Sequence, residues 1–214
     1  MDQKKIIVSD IDEVITESMQ KWLYLALHDE HIITRIRNLD VITEYMKGPE
    51  SFRKYFRLRD EYDLIKWMNL DEIIREHFLD IYRKNGSFYN DLSLTRFGLS
   101  LVAMSKSHHI IFVSHSLNGD ADSSKRFFID RNFKGCSYEL HLVPYGEKKS
   151  DVINSVTSKF DIFIDDNTDN MVDVAENCSP EGSYIMYPVM GYNMDAAAKL
   201  QDIVKQKKLN VLVI

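Results

Sequence analysis

Asp10 and Asp12 stand one residue apart just after Lys5–Ser9, KIIVS, whose β-branched side chains read as a buried strand. Such a strand ends against the core, where two unpaired carboxylates would each cost several kcal/mol in lost hydration. A cation between them would remove that cost. The same arrangement, an apolar run and then chemistry-bearing residues, recurs along the chain. IIFV leads to Ser114, ELHLVP leads through a short loop to Lys148 and Lys149, and FDIFI leads to Asp165 and Asp166. If these runs end at one sheet edge, carboxylates, a hydroxyl and an ammonium converge there. Clustered carboxylate oxygens suit a hard divalent cation such as Mg²⁺, while a hydroxyl and an ammonium suit a phosphate. The metal would neutralise the carboxylates and polarise a phosphoryl oxygen.

The elements that must hold these groups follow from periodicity. From about Glu17 to Tyr89 the pattern is helical, with apolar residues at helical spacing in ESMQKWLYLALHDEH and in WMNLDEIIREHFLDIYRK, which reads as one strong amphipathic helix. After Asn85-Gly86, helix and strand alternate as far as NVLVI. That alternation predicts an α/β core with a parallel sheet and helices on both faces, the site lying at the carboxyl ends of the strands. The domains expected are a core of residues 1–16 and 90–214 and a helical insertion of residues 17–89. The chain has 214 residues, 44% of them hydrophobic, so a sizeable core is affordable. A net charge of -6 argues against a surface that coats nucleic acid, so no stable nucleic-acid binding is expected. Cys136 and Cys178 lack metal-ligand spacing and predict a reducing compartment. Without a signal peptide or an apolar run of about 18 residues, a soluble, cytoplasmic chain is expected, with no membrane partner.

The ordered motifs IIVSDIDEVIT, IIFVSHS, EKKSDVI and FDIFIDDNTDN resemble those of the haloacid dehalogenase superfamily of phosphohydrolases. The resemblance covers residues 4–18 and about 92–190. It departs from the family at Glu13, where Gly is usual, and at His115. It implies a Rossmannoid core with an inserted α-helical cap and Mg²⁺-dependent hydrolysis of a phosphomonoester. Asp10 would be the nucleophile, forming an aspartyl-phosphate, and Asp12 the general acid and base. Asp10, the Asp12 carbonyl and Asp165 would hold the metal, with Asp166 supporting from behind. Ser114 would hydrogen-bond the phosphate and Lys149 would offset charge at the nucleophile. Lys149 is preferred to Lys148 because KSDVI opens the following helix. The alternative to these roles is a strand-end cap or Asx-turn for Asp10 and Asp12, and an ordinary strand-end hydroxyl for Ser114.

The insertion stands where the family places a C1 cap, and the whole looks most similar to the 5'(3')-deoxyribonucleotidase-like branch. That similarity implies a nucleoside or deoxynucleoside monophosphate as substrate. In SFRKYFRLR, Phe52 and Phe56 interleave with Arg53 and Arg57, and Trp67 follows. These residues are candidates to stack on a base and meet its phosphate or sugar; the alternative is that the aromatics pack inside the cap. Other readings left open are a phosphatase of another small metabolite or of a nucleic-acid end, and a catalytically silent binding protein. A homodimer is also left open. His108, His109 and His141 read as packing or surface residues.

Overall fold

The structure, a computed structural model, describes residues 4–214. Met1–Gln3, with which the expected core segment and the reading against a leader begin, lie outside the described residues. Strand β1 (Lys5–Ser9) is followed by helices α1 (Ser18–Leu27), α2 (Glu30–Ile33), α3 (Leu39–Met46), α4 (Pro49–Arg57), α5 (Leu64–Trp67) and α6 (Arg75–Arg83). Then come α7 (Arg96–Met104), β2 (His108–Ser116), α8 (Ala121–Asn132), β3 (Tyr138–Pro144), α9 (Lys149–Val156) and β4 (Ile162–Ile164). The chain closes with α10 (Thr168–Asn177), β5 (Tyr184–Tyr187), α11 (Ala196–Lys207) and β6 (Asn210–Val213).

The strands form one six-stranded sheet in the order β3-β2-β1-β4-β5-β6, and every described pairing is parallel. The expected α/β class with a parallel sheet is therefore what the chain adopts. Strand order reverses between β1 and β4, and a crevice opens at the carboxyl ends of strands at such a point. The register pairs Ser9 with Phe112 on one side and with Ile164 on the other. Asp10, Ser114 and Asp165 are thereby set at one edge, and the Asp10 amide donates to the Ile164 carbonyl at 2.8 Å.

Apolar clusters cover both faces of the sheet. One gathers Ile7, Ile110, Phe112 and Phe128, and the other Val8, Ile111, Phe163 and Ile185. The helices from α1 to α6 enclose a third cluster around Leu23, Phe52, Phe56, Trp67 and Phe78. The single helix expected over WMNLDEIIREHFLDIYRK is broken. Asn69 takes a left-handed backbone at φ 49°, and Asp71 accepts from the Ile73 amide, starting a short 3₁₀ turn ahead of α6. An Asn followed by an Asx cap offers the backbone hydrogen bonds outside the helix, which overrides the apolar periodicity. Gly191 lies against the Leu58 and Arg59 carbonyls, where a Cβ would collide with backbone. The helices therefore approach the core closely at that point.

Candidate active site

The first loop is built by the end of β1. The Ile11 amide donates to Asp10 Oδ1 at 2.7 Å, and the Ser9 hydroxyl donates to the Asp10 carbonyl at 2.8 Å. Glu13 then turns the chain in the left-handed region at φ 55°, where Gly is less strained. Its carboxylate accepts from the Met19 amide at 2.9 Å, in the first turn of α1. Burial pushes the Glu13 carboxyl up to about 7, the Arg59 guanidinium opposing that rise.

Lys149 is fully buried at the start of α9 and donates to Asp165 Oδ2 at 2.7 Å and to Asp10 Oδ2 at 2.8 Å. Burial would lower its pKa, but the two carboxylates outweigh that and raise it, so the ammonium stays charged. Lys148 is exposed instead, 3.7 Å from Asp173. Asp165 has both oxygens engaged: Oδ2 by Lys149, and Oδ1 by the Asn167 amide at 2.9 Å and Asn170 Nδ2 at 3.1 Å.

Asp166 differs. Its Oδ2 accepts from the Tyr192 hydroxyl, while its Oδ1 is buried without a partner. Burial, with the charges of Asp165 and Asp10, drives the Asp166 carboxyl well above the usual carboxylate range. Asp10, Asp165 and Asp166 each bring an oxygen within 4.8 Å of the others, so a cation fits among them. The two acids, expected to divide metal binding and support between them, differ in what occupies their oxygens. Asp166, assigned a supporting role, has the free oxygen; Asp165, assigned to the metal, is already bound by Lys149 and Asn170.

Asp12 faces a different set of donors. Its Oδ1 accepts from the Ser18 hydroxyl and the Tyr89 hydroxyl, both at 2.5 Å. Its Oδ2 accepts from Lys125 Nζ at 2.7 Å and Ser114 Oγ at 3.3 Å. Burial alone would raise the Asp12 carboxyl, but the Lys125 ammonium and these hydroxyls outweigh it and hold it below the usual range. Sequence reasoning missed Lys125. A signal was present: α8 buries Ala121, Ser124, Lys125, Phe128 and Ile129, so the lysine sits on the inward stripe of its helix.

The residues expected to recognise a base go elsewhere. Phe52, Phe56 and Trp67 are buried in the helical cluster, with Trp67 5.4 Å from Tyr55 and 6.0 Å from Phe56 between ring centres. Helix α4 presents its apolar stripe inward, and the aromatics are used by packing. Arg53 and Arg57 reach Glu17 at 3.0 Å and 2.8 Å and line a cleft that excludes the clustered acids Asp10, Asp165 and Asp166. A separate cavity of about 850 Å³ reaches Asp12, and its lining likewise lacks Asp10, Asp165 and Asp166. Met19, Trp22 and Phe78 line it from the helices, Tyr62 from the connection between α4 and α5, and His115 and Tyr145 from the sheet side. Of the other histidines, His109 and His141 both meet Glu139 at the surface.

No family model matches the chain, and no curated protein sequence does. Solved structures do match. A haloacid dehalogenase-like family hydrolase from Streptococcus pneumoniae has a TM-score of 0.56 at 16% identity, over 100% of this chain and 95% of the other. A candidate phosphatase from Clostridium difficile has 0.56 at 12% identity over 100% and 95%. A candidate β-phosphoglucomutase from Thermotoga maritima has 0.53 at 11% over 98% and 94%. Likeness at these identities carries the architecture alone: the chain has the haloacid dehalogenase-like fold.

Proposed function

We propose that the chain is a metal-dependent phosphomonoester hydrolase working through an aspartyl-phosphate on Asp10, and that its substrate is a nucleoside or deoxynucleoside monophosphate. The observation that carries the reading is Lys149 buried between Asp10 and Asp165, beside the unpartnered oxygen of Asp166. A buried ammonium offsets only part of the charge of three carboxylates, leaving room for a divalent cation and an anionic substrate. Asp10, Asp166 and the Asp12 carbonyl would hold Mg²⁺, which when bound supplies charge neutralisation and a fixed orientation for a phosphoryl oxygen.

Asp10 attacks phosphorus in line, held by the Ile11 amide and Lys149. Asp12 passes a proton from the bound phosphate monoanion to the departing oxygen and later takes one from the attacking water. Ser114 and Lys149 stabilise phosphoryl oxygens. Residues 17–89 would act as a lid that selects the leaving group. The nucleotide part is supported by the aromatic wall of Trp22, Tyr62, Phe78 and Tyr145 around a cavity of about 850 Å³, large enough for a base and sugar. A cytoplasmic setting belongs to the proposal too, supported by the unpaired Cys136 and Cys178. No described helix is long and apolar enough to cross a membrane.

The test is phosphate release from nucleoside monophosphates, sugar phosphates and 4-nitrophenyl phosphate, with Mg²⁺ and with chelator. Release that needs Mg²⁺ and is fastest for a nucleotide is the expected result. Fastest release from a sugar phosphate would overturn the nucleotide assignment, and release from none would overturn the hydrolase reading.

A further inference from the structure

Lys125 lies outside the four motifs, yet it is the most enclosed charged contact of Asp12. Its side chain has no exposed surface, and its Nζ donates to Asp12 Oδ2 at 2.7 Å, to the His115 carbonyl at 2.8 Å and to Ser114 Oγ at 3.2 Å. The Tyr89 ring lies 5.4 Å from the same nitrogen. The ammonium thus ties the loop after β1 to the end of β2, and it touches both groups that flank the expected phosphate position. Lysine rarely occupies the inward stripe of a helix, because burying an ammonium costs several kcal/mol unless it is paired. Here all three of its protons have an acceptor, two of them belonging to the reaction site.

We propose that Lys125 is a positioning residue that fixes the Asp12 carboxylate and the Ser114 hydroxyl for proton transfer, an inference that rests on the hydrolase reading above. In the first step the Asp10 oxygen–phosphorus bond forms, the phosphorus–leaving-group bond breaks, and Asp12, ionised at rest beside Lys125, passes the proton of the bound phosphate monoanion to the leaving oxygen. In the second, the water oxygen–phosphorus bond forms, the Asp10–phosphorus bond breaks, and a water proton returns to Asp12. Lys125 touches neither the phosphorus nor the leaving group. It acts through Asp12 and Ser114, so its loss penalises the steps that use Asp12 and spares the attack of Asp10 on a substrate whose leaving group needs no proton.

The experiment compares Lys125→Met, Asp12→Asn and the double variant on phenyl phosphate, a poor leaving group, and 4-nitrophenyl phosphate, a good one, with Mg²⁺ present. Lys125→Met is expected to slow phenyl phosphate turnover roughly 100-fold, the scale of lost general acid–base catalysis. With 4-nitrophenyl phosphate the first burst of nitrophenol persists and phosphoenzyme accumulates, because its hydrolysis needs Asp12. In the Asp12→Asn background the Lys125→Met change has almost no further effect. Should Lys125→Met fail to fold, Lys125→Gln, which keeps a donor, is read instead. Equal losses on both substrates without accumulated phosphoenzyme, or the same loss in the Asp12→Asn background, would overturn the proposal. A wild type that forms no phosphoenzyme, or one that persists in Asp10→Asn, would instead overturn the hydrolase reading on which it rests.

Discussion

At the carboxyl edge of the sheet, two buried ammonium groups each gather a set of site residues, Lys149 holding Asp10 and Asp165 and Lys125 holding Asp12 and Ser114, with Asp166 beside the first. In the helical module, Phe52, Phe56 and Trp67 turn inward and Arg53 and Arg57 close on Glu17. The difference lies in what each element allows. A side chain at the end of a buried central strand has nowhere to go but the edge crevice, and its polarity must be satisfied there. A side chain on an amphipathic helix can join either the core or the surface, and an aromatic one gains about 1.5–3 kcal/mol by joining the core.

That contrast breaks most severely at Lys149. Lys149→Met leaves Asp10 and Asp165 buried without their shared cation. Activity is expected to fall by several powers of ten, and the metal-free protein to lose about 3–5 kcal/mol in urea unfolding. On the module side, Phe56→Ala is expected to cost about 3–5 kcal/mol of stability, with the KM of folded enzyme unchanged. Trp22→Ala, which also gives up its stacking on Phe78 and so some stability, adds an effect on binding: nucleotide KM rises by the equivalent of about 1–3 kcal/mol while 4-nitrophenyl phosphate hydrolysis by folded enzyme holds. Steady-state kinetics beside urea melts separate the two. A nucleotide-specific KM effect at Phe56 would erase the contrast.

Glu13 sits at the joint between the two regions, and its effect is smaller. Its folded pKa of about 7 lies above its ordinary value of 4.5. The stability it lends is therefore fully present below about 4.5 and is lost as pH rises through about 7. Glu13→Gln removes that loss, so the metal-free variant gains on the wild type between about pH 5 and 8, by up to roughly 3 kcal/mol. Melts in which the gap narrows with rising pH would reverse the sign and refute this. The smallest expected effect sharpens the site itself: Asp166→Asn weakens Mg²⁺ binding by roughly tenfold to hundredfold more than Asp165→Asn does, as read by calorimetry.

Much of the sheet and its edge was legible in the residues. The alternation after Asn85 predicted the parallel layers, and the acids following IIVS and FDIFI predicted where charge would gather. What escaped was decided by competition among local forces. The helix expected across Asn69 and Asp71 gave way to Asx capping, which periodicity does not register. Lys125 was passed over because a lysine on a helix is ordinarily solvated, and its meaning emerges only where α8 meets Asp12. The difference between Asp165 and Asp166 turns on which oxygens Asn167, Asn170 and Tyr192 occupy, which adjacent identical residues cannot disclose.

The central claim is that Asp10 is a nucleophile poised by Lys149, and it is tested most directly by intact-mass measurement of acid-quenched enzyme during turnover of 4-nitrophenyl phosphate with Mg²⁺. The account predicts a species heavier by one phosphoryl group, located by digestion on the peptide that holds Asp10 and absent from Asp10→Asn. Turnover by the wild type with the phosphoryl group on another residue, or near-normal turnover by folded Asp10→Asn, would contradict it.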